Sequence, residues 1–300
     1  MHLIFATRPS KLARWQTSHV IQALQQAWPG LTCQEEVITT QGDRILDRPL
    51  PEIGGKGLFT QELEAELLSG RVQAAVHSLK DLPTESPSNL TIGAVMARVE
   101  VRDGLISANG YTLETLPQGA RLGTSSLRRA AQVLAVRPDL EIEPLRGNVD
   151  TRLRKAQEGQ YDAIILAGAG LVRLGLVEHV SQWLPLEIML PAPGQGALAV
   201  QCRLDDSETL RLLGELHDSR TYRTTTAERA FLAGLGGGCS IPVAAYGLVE
   251  GEQVMLIGLV ASPNGKSLIR VREQGSDPQE VGSRAAAAAL SQGAGVILNV

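Results

Sequence analysis

The alternation that decides the fold is clearest in residues 60–83, which read TQELEAELLSGRVQAAVHSLKDLP. Thr60 can cap a helix whose leucines share one face, and a glycine can close that helix. Residues 72–77 follow as an apolar strand, which runs into the polar turn at 78–81. A helix, a strand and a polar turn in succession are typical of a layered α/β protein.

The same alternation continues on both sides of this stretch and changes only near the end of the chain. Predicted strands occupy 3–6, 121–123, 141–145 and 162–167, and the segments between them include helical patterns at 12–27, 127–137 and from 148 onward. This order indicates α/β layers with largely parallel sheets. The last eighty residues instead predict a small α+β module, with a helix over 220–235, a hairpin whose strands span 254–261 and 267–272, and a helix over 278–290.

Composition excludes several classes of protein. The chain has 300 residues, 43% of them hydrophobic and 20% charged, which is enough for two or three domains with sizeable cores. The formal charge is −4 and aromatic residues make up only 3%, so we expect no nucleic-acid partner. No apolar run reaches the ~20 residues that span a bilayer, and the first residues lack the basic start of a signal peptide. We therefore expect a cytoplasmic protein with no membrane partner.

Cysteine and histidine usage indicates neither disulfides nor metal. The cysteines, Cys33, Cys202 and Cys239, are odd in number and far apart, and the five histidines show no metal-ligand spacing.

Arginine is the unusual feature of the composition. The chain has 23 arginines and 5 lysines, and seven of the arginines lie between Arg121 and Arg154. The planar guanidinium matches a carboxylate with two hydrogen bonds, so the cluster suits a ligand rich in carboxylates. Codon bias is the alternative explanation for the total.

Four segments carry anion-binding residues just after predicted strands, where α/β sheets collect ligands and helix N-termini attract anions. They are Thr7-Arg8-Pro9-Ser10, Ser78-Leu79-Lys80-Asp81, Thr124-Ser125-Ser126-Leu127-Arg128-Arg129 and Arg146-Gly147-Asn148. Their common position predicts a shared anion-binding cleft.

Two residues among these basic segments could carry chemistry. Asp81 is either an ion-pair partner of Lys80 or of an arginine, or a carboxylate that stabilises a developing cation or exchanges a proton. Cys239 follows three glycines, so its sulfur is exposed and available for covalent chemistry. The run 54–57 lacks the spacing of a phosphate loop and instead predicts a mobile lid that bears Lys56 and Phe59.

Taken in order, these motifs resemble the porphobilinogen deaminase (hydroxymethylbilane synthase) family. The matching runs span nearly the whole chain and are Ala6-Thr7-Arg8, Gly54-Gly55-Lys56-Gly57-Leu58-Phe59, His77-Ser78-Leu79-Lys80-Asp81-Leu82-Pro83, Gly123-Thr124-Ser125-Ser126-Leu127-Arg128-Arg129, Leu145-Arg146-Gly147-Asn148-Val149, Pro191-Ala192-Pro193-Gly194-Gln195-Gly196-Ala197 and Gly237-Gly238-Cys239. The resemblance implies two α/β lobes with mixed sheets, similar to periplasmic binding proteins, and a small C-terminal α+β domain. The implied domains are 1–96 with 196–215, 100–192, and 218–300.

The family's activity follows from the resemblance and is an expectation for this chain. Four porphobilinogen units are joined head to tail with loss of ammonia, on a dipyrromethane primer held by a thioether, and water releases hydroxymethylbilane for tetrapyrrole biosynthesis. The matched positions imply that Cys239 carries the cofactor and that Asp81 is the catalytic acid. Further cofactor contacts are implied for Ser78, Lys80, Thr124, Ser126, Arg128, Arg129, Arg146 and Gly147, and substrate contacts for Arg8, Ser10, Gln16, Arg152, Arg173 and Gln195. A monomer is expected.

Two other functions stay open at this point. One is a non-enzymatic two-lobe binding protein for small carboxylates, which would need neither Asp81 nor Cys239. The other is a transferase or hydrolase in which Cys239 forms only a transient covalent intermediate.

Overall fold

A computed structural model describes residues 2–44, 57–237 and 241–298. These residues form two compact units. The first comprises 2–44, 57–99 and 196–222, and the second comprises 100–195, 223–237 and 241–298. The first unit is therefore discontinuous in sequence, since the chain leaves it after residue 99 and returns at 196.

Strands and helices alternate through most of the chain. The strands are β1 (His2–Thr7), β2 (Thr32–Val37), β3 (Ala74–Ser78), β4 (Leu90–Val95), β5 (Asp103–Ile106), β6 (Arg121–Gly123), β7 (Glu141–Glu143), β8 (Ala163–Ala167), β9 (Gln182–Trp183), β10 (Leu198–Arg203), β11 (Val243–Glu250), β12 (Gln253–Ala261) and β13 (Leu268–Gly275). The α-helices are α1 (Lys11–Ala27), α2 (Gln41–Arg44), α3 (Gln61–Leu68), α4 (Leu127–Val136), α5 (Val149–Gln157), α6 (Gly168–Leu174), α7 (Ser207–Leu213), α8 (Ser219–Gly234), α9 (Pro278–Ser291) and α10 (Ala294–Leu298). Single 3₁₀ turns occupy Leu79–Asp81, Val177–His179 and Gly214–Leu216.

The sheet of the first unit has the strand order β2-β1-β3-β10-β4. Strands β2, β1 and β3 are parallel, and β10 is antiparallel to both β3 and β4. Every residue of β3 up to His77 is buried, as expected for a central strand covered on both faces. The apolar core of this unit includes Phe5 and Leu24, which have no exposed surface.

The five-stranded sheet of the second unit repeats this arrangement, in the order β7-β6-β8-β5-β9. Strands β7, β6 and β8 are parallel, and β5 is antiparallel to its neighbours β8 and β9. In both sheets one strand thus runs opposite to the other four. These two antiparallel strands, β10 and β5, each begin beside the carboxyl end of a parallel strand, where a ligand site is expected.

The C-terminal part of the second unit is a three-stranded antiparallel sheet, β11-β12-β13, packed against α8 and α9. The predicted hairpin between β12 and β13 is present, with a turn in which the Gly265 N–H donates to the Ser262 carbonyl. A small apolar cluster that contains Ala131, Leu190 and Leu259 joins this module to the α4 side of the five-stranded sheet.

The predicted class, two mixed α/β sheets and a small α+β module, is confirmed. The division into 1–96 with 196–215, 100–192, and 218–300 stays a prediction, which the three separate sheets support. One local prediction was wrong: Thr60 stands at the start of α3, but its side chain makes no capping hydrogen bond. In the described part of the chain, no helix is long and apolar enough to span a bilayer.

Candidate active site

In the first unit, two of the predicted segments lie at the same edge of the sheet. Strands β1 and β3 are adjacent and parallel, with Ala6 paired to Ala75, so the turns that follow them lie side by side. Gln16 on α1 bridges them, because its buried side-chain amide donates to the Ser78 hydroxyl at 3.0 Å. The structure therefore brings Arg8, Gln16 and the 78–81 turn to the same edge of the sheet.

Arg8 is held by groups that the sequence did not indicate. Its Nε and Nη2 donate to the two carboxylate oxygens of Asp43, at 3.2 and 2.5 Å. The ring of Phe59 lies 4.1 Å from the guanidinium carbon, and Gly42 packs against the same ring. Arg8 keeps the pKa of the Asp43 carboxyl below its usual value, although burial alone would raise it. Phe59, the predicted lid residue, is thus part of the surroundings of Arg8.

The catalytic candidate Asp81 lies at the end of a 3₁₀ turn that follows β3. Its side chain is exposed and forms no ion pair with any residue that the structure describes, so the ion-pair alternative finds no support there. Lys80, the preceding residue, is half-buried. Ser10 serves as the N-cap of α1, where its hydroxyl accepts the Ala13 N–H at 3.2 Å.

In the second unit, the turns after β6 and β7 are tied together by hydrogen bonds. The Thr124 N–H donates to the Glu143 carbonyl, and the Ser125 hydroxyl bonds to the backbone of Leu145 in both directions. Ser126 caps α4, as its sequence position predicts. This places the first turn of α4, with Arg128 and Arg129, at the carboxyl edge of the sheet.

Arg128 and Arg129 converge on one buried carboxylate, Asp103 at the start of β5. Each donates from Nη2 to a different oxygen of Asp103 at 2.8 Å, and the Gln195 amide donates to Oδ1 at 3.0 Å. Asp103 has no exposed surface, and the two arginines are 5% and 6% exposed. Arg128 Nη1 also donates to the Leu190 carbonyl, and Arg129 Nη1 donates to the Ile165 carbonyl.

This cluster contains more positive charge than its own carboxylate can neutralise. Asp103 contributes one negative charge and the two guanidinium groups contribute two positive charges. The Nε–H of Arg129 is buried and has no acceptor among the described residues. Burial lowers the pKa of the Arg128 guanidinium, and it lowers that of Arg173, in α6, to about 10. An anion bound here would relieve both the excess charge and the unpaired donor.

The remaining predicted residues of this unit surround the turn before α5. Gly147 has a φ of +113°, and a Cβ there would lie 2.8 Å from Thr151, so only glycine suits the position. Its carbonyl accepts from Arg152 Nε at 2.7 Å. Arg146 is half-buried and precedes Gly147 in the same turn.

Two predicted site residues, Lys56 and Cys239, lie outside the described residues. Within the described ranges, no group of three or more His, Cys, Asp or Glu side chains could hold a metal ion.

Sequence reasoning missed Asp43 and Asp103, the carboxylates that hold the predicted arginines. They lie 35 residues from Arg8 and 25 residues from Arg128, and no motif links them to their partners. An acid at the start of an otherwise apolar strand, as Asp103 is in β5, is the available signal, because a charge buried there requires partners.

Comparison with known proteins identifies relatives over almost the full length. The family model for the porphobilinogen deaminase dipyromethane cofactor binding domain matches residues 3–211, and the model for the porphobilinogen deaminase C-terminal domain matches 222–291. A porphobilinogen deaminase from Brevibacillus brevis is 52% identical, over 97% of this chain and 95% of its own. One from a Roseiflexus species is 51% identical, over 99% and 98%.

Two solved structures of other proteins also match part of this chain, at low sequence identity. The periplasmic VFT2 domain of Bordetella pertussis BvgS has a TM-score of 0.43 at 14% identity, over 72% of this chain and 86% of its own. The sulfate-bound regulatory domain of Vibrio vulnificus OxyR2 has a TM-score of 0.44 at 13% identity, over 72% and 94%.

Proposed function

Because this chain belongs to the porphobilinogen deaminase family, we propose that its arginine-rich sites hold the carboxylates of a growing pyrrole chain. The reaction is the transferase reaction of that family, in which four porphobilinogen units are joined with loss of four ammonia molecules and water releases hydroxymethylbilane. Each porphobilinogen carries an acetate and a propionate, so every addition brings two negative charges to the protein.

The observation that carries the proposal is the buried cluster of Asp103, Arg128 and Arg129. Its net charge is positive, and the buried Nε–H of Arg129 has no acceptor among the described residues. A carboxylate is the ligand that satisfies both conditions, because it supplies one negative charge and planar oxygen acceptors. Gln195, which also donates to Asp103, keeps that carboxylate in place between the two guanidinium groups.

These residues fit the dipyrromethane cofactor, whose binding domain the chain contains. When bound, the cofactor supplies the pyrrole end to which the first porphobilinogen unit is added. We assign its carboxylates to Arg128, Arg129 and Arg146, with Lys80, Ser78, Thr124, Ser126 and Gly147 as neighbouring contacts and Cys239 as the point of attachment.

In the first unit, Asp81 is the residue suited to assist the chemistry. Its carboxylate is exposed at the edge where Arg8 and Ser78 also lie. A fixed carboxylate stabilises the positive charge that develops on a pyrrole as ammonia leaves. Arg8, Ser10, Gln16, Arg152, Arg173 and Gln195 are assigned to the carboxylates and polar atoms of the incoming substrate.

The test is the stoichiometry of turnover. Protein incubated with porphobilinogen should release one ammonia for each unit consumed and produce hydroxymethylbilane. Arg128→Leu should lose most of this activity, whereas Arg154→Leu should retain it, since Arg154 is exposed on α5 of the same unit. Equal activity in the two variants would remove the buried cluster from the function.

The two alternatives give different results in the same assay. A carboxylate-binding protein would bind porphobilinogen and release no ammonia. An enzyme with a transient cysteine intermediate would lose its adduct when substrate is exhausted, whereas the proposed primer remains attached after product release.

A cytoplasmic location and a monomeric state also belong to the proposal. Light scattering on the purified protein tests the monomer, and cell fractionation tests the location.

A further inference from the structure

Arg8 donates every hydrogen bond that it forms with described residues to a single partner, Asp43. The two donors are Nε and Nη2, which together form one edge of the planar guanidinium group. This pairing fixes the rotation of the guanidinium about its long axis. It also leaves the outer edge, formed by Nη1 and the second hydrogen of Nη2, without an acceptor among the described residues.

Asp43 is itself held in place. The Thr40 N–H and the Thr40 hydroxyl both donate to Asp43 Oδ2, at 3.2 and 2.7 Å. Thr40 is fully buried, and the Asp43 side chain is only 9% exposed. The carboxylate is therefore a fixed anchor, and not a mobile side chain that folds onto Arg8 from solution.

The face of the guanidinium is restrained as well. Phe59 stacks on it with 4.1 Å between the guanidinium carbon and the ring centre, a favourable cation–π contact. The ring is positioned by Gly42, where even a Cβ would lie only 2.1 Å from a ring carbon. The Gly42 N–H donates to the Leu58 carbonyl, and this hydrogen bond joins the segment that contains Asp43 to the segment that contains Phe59.

We propose that Asp43 is a positioning residue, which orients Arg8 so that its Nη1/Nη2 edge receives a carboxylate of the incoming porphobilinogen. One edge of Arg8 bonds to Asp43 and one face to Phe59, while about a fifth of the side chain stays accessible. A guanidinium with these restraints loses little conformational freedom when the second carboxylate binds. This inference rests on the proposed function, and it adds to it a residue that contacts no substrate.

A competing interpretation predicts the opposite result. If Asp43 occupied the place of the substrate carboxylate, removing its charge would free Arg8 and improve substrate binding. If it positions Arg8, removing its charge would weaken binding. The sign of the change in KM distinguishes the two.

The experiment compares Asp43→Asn and Thr40→Val with the parent protein in steady-state kinetics on porphobilinogen. We expect Asp43→Asn to raise KM about ten-fold with little change in kcat, the loss typical of one charge-assisted hydrogen bond. Thr40→Val keeps the carboxylate but removes one of its anchors, so we expect a smaller rise of about three-fold. An unchanged or lower KM in Asp43→Asn would overturn the proposal.

Glu36→Gln is the matched control. Glu36 forms an exposed ion pair with Arg71 in the same unit, so its KM should equal that of the parent. Intact mass should show normal cofactor loading in all three variants. If loading or turnover fails in the parent itself, the proposed function is wrong, whereas normal parent turnover with an unaffected Asp43→Asn refutes this inference alone.

A second readout does not depend on activity. In nuclear magnetic resonance spectra, the Nε–H of Arg8 should exchange slowly with solvent in the parent, because Asp43 protects it. Asp43→Asn should abolish this protection and Thr40→Val should reduce it. Fast exchange in the parent would show that the pair does not restrain Arg8.

Discussion

Replacing Asp103 with asparagine tests the buried cluster through protein stability. The substitution preserves shape but removes the one negative charge that two guanidinium groups share at 2.8 Å. The buried net charge then rises from one positive charge to two, with no solvent to compensate, since Asp103 has no exposed surface. Breaking a buried pair in this way typically costs about 3–5 kcal/mol.

The assay is differential scanning calorimetry of cofactor-free protein. A loss of that size lowers the Tm of a unit of this length by roughly 6–20 °C. Glu158→Gln is the control, because its ion pair with Arg154 is exposed and spans 3.9 Å, so about 0.5 kcal/mol or less is at stake. Loading the variant with cofactor should recover part of the loss, since cofactor carboxylates supply negative charge. A Tm within about 2 °C of the parent would refute the electrostatic account of the cluster.

Three further predictions concern other parts of the chain. Burial holds the pKa of His77 at about 4, so stability should fall by about 2–3 kcal/mol as the pH drops from 7.5 to 4.5, and urea unfolding of His77→Gln should lack this part of the dependence. Gly258→Ala should cost about 1–3 kcal/mol in the same assay, since its Cβ would lie 2.6 Å from the Phe231 ring, whereas Gly214→Ala meets no atom. Asp81→Ala should keep the covalent cofactor but turn over about 10²–10³ times more slowly; near-parental ammonia release would remove Asp81 from the mechanism.

The sign of the His77 prediction follows from the direction of its shift. His77 has a lower pKa in the folded protein than its unfolded value of about 6.5, so protonation favours the unfolded state. Its contribution is therefore intact above pH 6.5 and is lost as the pH falls toward 4. Carboxylates with lowered pKa values, such as Asp43, lose their contribution at lower pH, which separates the two effects.

Features of the fold that depend on neighbouring residues were predictable from the sequence. Ser126 caps α4 because a hydroxyl before a helical pattern is a local signal, and the turn around Gly265 joins β12 and β13 for the same reason. The strand predicted at 72–77 is present at Ala74–Ser78. The capping role of Thr60 was not realised, since the identity of a residue does not determine whether its hydroxyl reaches the backbone.

Features that depend on distant partners were not predictable from the residues alone. Strand β10 inserts between β3 and β4, although more than a hundred residues separate it from both, and no local pattern specifies that pairing. The carboxylate anchors of the arginines are similar. Arg128 could be placed at a helix start from sequence, but its partner Asp103 is set by the packing of β5 against β8.

The central claim is that pyrrole carboxylates are held by this chain on a covalently attached primer. Intact-protein mass spectrometry of active enzyme, followed by peptide mapping, tests it most directly. We predict a stable adduct of two linked pyrroles on the peptide that contains Cys239, which persists after substrate is exhausted and is reduced in Arg128→Leu. Active protein with the unmodified sequence mass, or an adduct on another residue, would contradict the account.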